Sequence, residues 1–483
     1  MGAVPDGGEL HMRGRGSMLA MTAGMCSLAP IVGGVSAGAS VATPGVTPAT
    51  GGSGVPVVPG FTAFDPAVVG YEQSEFFLSG TASAFEPTAP SGTDGKHSVA
   101  PSTTAPYTTR AVVMRPVKPG RFNGTVIVEW LNVSGGADAG PDWMLGHNEL
   151  IRAGFVWVGV SAQQVGLDAL KGDDPTRGDA VRYADLAHPG DDYANDIFSQ
   201  AGQAIRDDAR TMLGGLEPKD LIAIGESQSA IRLVDYIDAV HPLAGVYDGF
   251  LVHSRAGGPP IRDDLDVPVL VFQTETDVSF SNLAARQPDT DTYRLWEVAG
   301  TAHYDQYGLA IQAEDTGDGE GAAAVLESML HPTSTPSEGF DCGAPINTGM
   351  QHYVLDAAIF RLNRWVTKGI VPPVAPRLET TGASPVVFAT DTNGNALGGI
   401  RTPAVDVPVA TLTGKSTDGT SFCFLFGSTE PFTPDQLEAL YPDHRGFVSA
   451  WVRATRSARA AGFLVAADAR ELIAAARQSD IGK

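Results

Sequence analysis

The chain reads as an α/β protein with a mostly parallel central sheet and helices on both faces. Three observations predict this. Short apolar runs suited to buried strands, such as 221–224, alternate with stretches of helical spacing through the middle of the chain. Those runs are nearly continuously apolar, as strands covered on both faces are. A hydrophobic content of 43% over 483 residues is enough to cover such a sheet within one elaborated domain.

Taken in order, residues 1–60 stand apart. Arg13 and Arg15 precede a mildly apolar stretch, 18–32, followed by small residues up to Ala42. That resembles an export signal, more so if translation begins at Met12. Secretion is the expectation, with the cytoplasm as the alternative. Residues 45–60, rich in Gly, Thr and Pro, read as a flexible linker.

The expected catalytic core spans 61–375. Residues 71–78, 107–117 and 124–131 read as strands, 143–153 as a helix and 155–161 as the next strand. The polar, Gly/Asp-rich insertion 163–195 is too long for an ordinary connection and is expected to be functional. Helix 196–213 leads to strand 221–224, and strands 247–253, 268–273 and 292–298 follow. A second insertion covers 305–346. Helix 351–367 carries Val354, Ala358, Leu362 and Trp365 on one side, and prolines at 372–376 break the chain. Residues 376–483 read as an extension, strand-like to Leu412 and helical from Thr433.

Charge excludes some functions. A formal net charge of −23 repels nucleic acid and anionic membrane surfaces alike. No apolar run free of Gly and Pro is long enough to span a bilayer. Cys342 and Cys423 would remain after signal removal; an even pair in an exported chain suggests a disulfide, against the alternative of two buried thiols. Neither has His or acidic neighbours at ligand spacing, so no metal is expected, and no cofactor either.

The chemistry concentrates at strand ends, where open α/β sheets place reactive groups. Gly225-Glu-Ser-Gln-Ser229 lies between a strand and a helix whose apolar positions are Ile231, Val234, Ile237 and Val240. A strand, a sharp turn and a helix expose the Ser227 hydroxyl and aim the Gln228 N–H at charge developing on an attacked carbonyl. After strand 268–273 comes Thr274-Glu-Thr-Asp277; after strand 292–298 comes Ala-Gly-Thr-Ala-His303. A serine hydroxyl needs an imidazole to take its proton, and the imidazole needs a carboxylate to hold it. Ser227, an acid and His303 supply all three, in that chain order.

These motifs resemble the triad motifs of the α/β-hydrolase superfamily. More narrowly, Glu129-Trp-Leu-Asn-Val-Ser134, Asp196-Ile-Phe-Ser-Gln200, Leu251-Val-His-Ser-Arg255 and Asn395-Ala-Leu-Gly-Gly399 are similar to a bacterial family of uncharacterised α/β-hydrolase-domain proteins. The resemblance runs from about residue 61 onward and implies an α/β-hydrolase fold with lid insertions. In the superfamily pattern Gly-x-x-Asp, Thr274 replaces Gly; this favours Asp277 over Glu275 as the acid.

His303 is favoured as base over His352 and His253. The second oxyanion donor is expected from the Gly-rich loop 132–136, at Val133 or Asn132. His253, Arg255, Glu275, His352 and Glu226 are held as substrate-lining or supporting groups, and Glu226 beside the nucleophile is unusual for a site that builds negative charge. Trp143, Met144, Tyr183, Tyr193, Phe198, Tyr304 and Tyr307 are expected to line a site for a bulky hydrophobic small molecule. The expected activity is hydrolysis of a carboxylic ester or lactone. The alternatives are an acyltransferase using the same acyl-enzyme and a non-catalytic binding protein on this fold.

Overall fold

In the computed structural model, residues 40–483 are described apart from Pro59, Ala256, Ser281 and Ser416. The expected export signal therefore lies outside the described residues. Strand β1 is Gly45–Pro48, β2 is Tyr71–Pro87, β3 is Val99–Pro116 and β4 is Thr125–Trp130. Helix α1 (Pro141–Ala153) leads to β5 (Val156–Val160), and α2 (Gln164–Leu170) opens the first insertion. Helices α3 (Ala194–Asp207) and α4 (Ala209–Met212) precede β6 (Asp220–Glu226) and α5 (Gln228–Asp235). Next come α6 (His241–Ala244), β7 (Gly249–His253), β8 (Val269–Thr274), α7 (Glu275–Ser279) and β9 (Tyr293–Val298). Helix α8 (Glu320–Leu330) sits in the second insertion, and α9 (Gln351–Lys368) closes the core.

Strands β1 to β9 form one sheet in the order β1-β2-β3-β5-β4-β6-β7-β8-β9. From β5 to β9 every pairing is parallel; β1, β2 and β3 add an antiparallel flank. Side chains alternate between two apolar layers, as a strand's period of two requires. On β6, Leu221 and Ala223 face α3 and α5, packing with Phe198, Ala201, Leu233 and Ile237. Ile222 and Ile224 face the opposite layer, with Trp143, Leu150, Val354, Ala358 and Leu362 of α1 and α9. The helices at Pro434–Leu440, His444–Ala461 and Ala466–Gln478 add Leu437, Phe447, Trp451 and Leu472 to that second layer.

The chain places β5 on one side of β4 and then returns to lay β6 on the other. That reversal opens a crevice at the carboxyl ends of β4 and β6, where doubly wound sheets hold their ligands. One expectation is corrected here. Residues 45–60 are not a free linker: Val46 and Thr47 pair with Leu78 and Phe77 at the sheet edge, where Pro48 interrupts no inner ladder.

Candidate active site

The strand β6 ends in a turn that sequence alone would make costly. Ser227 has φ 58° and ψ −118°, outside the regions a serine prefers. Such a conformation costs on the order of 1–3 kcal/mol and persists only where the surroundings over-determine it. Several contacts do so. Ser229 Oγ donates to Glu226 O (2.7 Å) and accepts from Glu226 N (3.1 Å), stapling the turn from inside. Ser227 N donates to His253 O at 3.0 Å. A Cβ on Gly225 would stand 3.0 Å from Ser229 O, so the residue must be minimal there. Ser229, in the place where the usual motif has glycine, is thus a structural member of the turn.

The elbow presents Ser227 half-buried at the head of α5. His303, on the turn after β9, puts Nε2 2.8 Å from Ser227 Oγ and Nδ1 2.6 Å from Asp277 Oδ1. Asp277 lies in the first turn of α7, capped by Thr274. Its Oδ2 accepts from Thr274 N (2.7 Å), Thr274 Oγ1 (2.8 Å) and Ser254 Oγ (2.8 Å). Burial disfavours its charge, but His303 and these donors hold the carboxyl below its usual range. Glu275 does something else: its two oxygens accept from Gly300 N (2.6 Å) and Gly414 N (2.8 Å). It ties the His303 turn to the late segment, and the imidazole faces Asp277 instead.

Glu226 is held between the loop after β4 and the imidazole. Asn132 Nδ2 donates to Glu226 O (3.0 Å) and Oε2 (3.3 Å), and Glu226 Oε1 stands 3.2 Å from His303 Nε2. The imidazole is therefore flanked by two carboxylates. Burial pushes the Glu226 carboxyl up to about 7, against the pull of His303 and His253. Burial also disfavours the His303 cation, but Glu226 and Asp277 outweigh it and hold His303 at about 9.

Of the two expected oxyanion donors on the loop after β4, one is ruled out. Asn132 N already donates to Ala139 O at 2.9 Å, closing a small bridge across the loop. Its side chain works on Glu226 instead. Val133 remains beside it, and the Gln228 N–H lies at the first position of α5, where a helix leaves donors without internal acceptors. The loop is braced from behind: buried Arg110 pairs with Asp138 and Glu75, each at 3.0 Å, and Arg177 donates to Gly135 O.

The other expected site residues fall away from the cavity. His253 is fully buried, with Nδ1 2.8 Å from Asp142 Oδ1 and Nε2 accepting from Gln351 Nε2 at 2.9 Å. Burial holds its pKa down at about 4. Arg255 is buried and donates to Pro259 O. His352 stacks on Tyr307 with centroids 3.6 Å apart, and neither ring nitrogen has a hydrogen-bond partner among the described residues.

A cavity of about 330 Å³ opens over Ser227 and His303. Of the seven expected lining residues only Met144 and Tyr304 reach it; Trp143, Tyr183, Phe198 and Tyr307 are core, and Tyr193 packs beside that core. The lining comes instead from Leu309, Phe340, Phe422, Leu425 and Phe426, with Gly60 from the segment expected to be a linker. The insertion 163–195 contributes none of it: Leu167, Leu170, Tyr183 and Leu186 form a small core of their own. Ser254, a donor to Asp277, is not among the residues the sequence pointed to, although it sits at a strand's carboxyl end between His253 and Arg255.

Cys342 and Cys423 are joined by a disulfide, with Cα atoms 5.4 Å apart. Among the described residues, no group of three or more His, Cys, Asp and Glu side chains is arranged to hold a metal ion. No described helix is long and apolar enough to cross a membrane.

A family model described as an alpha/beta hydrolase domain matches residues 41–474. Among proteins of curated function, none matches the chain. Solved structures similar to it include a fungal esterase from Rhizomucor miehei, at 11% identity over 45% of this chain and 74% of that one, TM-score 0.23. A thermostable esterase from Pseudomonas putida is similar at 14% identity over 44% and 66%, TM-score 0.25. A glucuronoyl esterase from Solibacter usitatus is similar at 8% identity over 47% and 76%, TM-score 0.26.

Proposed function

We propose that this chain, which belongs to the alpha/beta hydrolase domain family, is a serine hydrolase of neutral, bulky hydrophobic carboxylic esters or lactones. The observation that carries the reading is the unbroken relay Ser227 Oγ, His303 Nε2 at 2.8 Å, His303 Nδ1, Asp277 Oδ1 at 2.6 Å. His303 takes the hydroxyl proton as Ser227 Oγ attacks the carbonyl carbon. The oxyanion settles toward the N–H groups of Gln228 and Val133, a donor pair of which each member is worth roughly 3 kcal/mol. His303 then passes its proton to the leaving alcohol, and a water activated by the same imidazole releases the acid from Ser227.

Glu226 fits this sequence. The imidazolium formed in both steps lies between the carboxylates of Glu226 and Asp277, which stabilise it as it appears. The Cys342–Cys423 bridge supports an oxidising compartment, in keeping with an exported enzyme.

The test is a panel of esters and lactones of graded acyl and alcohol size, run beside fluorophosphonate labelling. Wild type is expected to hydrolyse members of the panel and take the label. Ser227→Ala is expected to do neither. Hydrolysis that persists in Ser227→Ala places the chemistry elsewhere and overturns the reading.

A further inference from the structure

The wall of the cavity facing Ser227 is built from an unusual source. Phe340 comes from the second insertion, and Phe422, Leu425 and Phe426 from the late segment, some eighty positions on. Neither stretch is a strand of the sheet or a long helix; 421–425 is a single short helical turn. What joins them is a small apolar cluster centred on Cys342, Ile346, Cys423 and Phe426, cross-linked by the Cys342–Cys423 disulfide. Cys342 lies two positions after Phe340, and Cys423 directly follows Phe422; both cysteines are buried in the cluster against which Phe340 and Phe422 pack. Backbone bonds from Asn347 N to Phe426 O (2.9 Å) and Thr420 N to Asp341 O (3.1 Å) run alongside it.

The wall has a definite chemistry. Phe340 and Phe426 meet edge to face with centroids 5.3 Å apart, and Phe422 and Tyr304 extend the same surface. Ring edges and faces of this kind pair best with another ring. The volume suits one: an apolar cavity of about 150 Å³ holds benzene, and this one, at about 330 Å³, leaves room for the ester group over Ser227. No Lys or Arg is among the described residues lining it, while Glu226 stands on its polar side. The charged group over the cavity floor, His303, is already flanked by the carboxylates of Glu226 and Asp277, which disfavours a further carboxylate on the substrate.

We propose that the disulfide-clamped wall is a subsite for an aryl group of an uncharged ester, and that Cys342 and Cys423 act as positioning residues for that subsite. The proposal rests on the hydrolase reading above for its kinetic test, but not for its binding test. Methyl, hexyl and phenyl acetate are compared in wild type, Phe422→Ala and Cys342→Ala/Cys423→Ala. The quantity read is the change in kcat/KM for each ester relative to wild type, which cancels the differing reactivity of the alcohols.

Loss of ring contacts is expected to lower phenyl acetate kcat/KM by about 10-fold or more, through KM. Hexyl acetate is expected to fall less than phenyl acetate in both variants, and methyl acetate least of the three. Equal losses on all three esters, or no selective loss on the phenyl ester, overturn the proposal.

Should wild type hydrolyse no ester, the hydrolase reading fails, and the wall is judged by binding alone. Acetophenone, an aryl ketone that cannot be hydrolysed, is titrated calorimetrically into Ser227→Ala with and without Phe422→Ala. Binding weakened by Phe422→Ala supports the subsite. Absent binding, or binding indifferent to Phe422, removes it.

Discussion

Single side chains here divide into those that hold protons and those that hold loops, and the two carboxylates of the α7 turn show the difference. Asp277→Asn is expected to lower kcat by about four orders of magnitude, since an amide favours the wrong imidazole tautomer. Glu275→Gln removes an acceptor from Gly300 N or Gly414 N and is expected to cost about 1–3 kcal/mol of stability instead. Steady-state kinetics beside denaturant unfolding separates the two, and the opposite pattern would exchange their roles. Glu226 is predicted to act on the pH profile. His303 must be neutral to accept a proton, and with Glu226 ionised it is held at about 9. Activity in kcat/KM should therefore rise as pH climbs through the range above an ordinary histidine. In Glu226→Gln the largest influence raising His303 is gone, so the rise should move to lower pH. A profile unmoved by Glu226→Gln would separate that carboxylate from the imidazole.

At the scale of elements, the elbow depends on a hydroxyl that does no chemistry. Ser229→Ala takes the Oγ acceptor from Glu226 N and leaves Glu226 O with the Asn132 Nδ2 donor alone. A loss of about 1–3 kcal/mol is expected, with weaker fluorophosphonate labelling because Ser227 is less firmly held. Full stability and full labelling would show that the backbone holds the turn unaided. The elements themselves were legible wherever burial set the pattern. The run 221–224 announces a doubly covered strand, and 351–367 announces a helix with one apolar side. Ser227, Asp277 and His303 were legible because each directly follows such a strand. The cavity wall was not. Phe340 and Phe422 sit in stretches with neither helical nor strand period, and contacts far apart in the chain, among them a cross-link spanning 81 positions, bring them together. The aromatics of α1 and α3 looked like lining for the opposite reason: a side chain's size is visible in sequence, but which layer it faces is decided by the sheet. Val46 and Thr47 were lost among Gly and Pro because an edge strand of four residues is too short to show a period.

Across the whole molecule, the late helices are fastened to the core by charge as well as by packing. Arg152 on α1 reaches Glu149 (2.5 Å), Asp356 on α9 (3.0 Å) and Asp468 in the helix Ala466–Gln478 (2.6 Å). Burial raises the pKa of the Asp468 and Glu149 carboxyls, against the pull of Arg152. Removing the guanidinium leaves three buried acids without their common cation, so Arg152→Ala should lose about 3 kcal/mol. Chemical unfolding checks this; an unchanged midpoint would mean that the apolar contacts suffice. The sulfur link has a different consequence at this scale. Between its two ends the chain passes through α9 and then an exposed hairpin at Ser384 and Pro385. A protease that cuts at the hairpin tip severs the polypeptide without freeing either piece. The halves would migrate together on a gel until a reductant is added, so nicked protein passes for intact unless thiols are present.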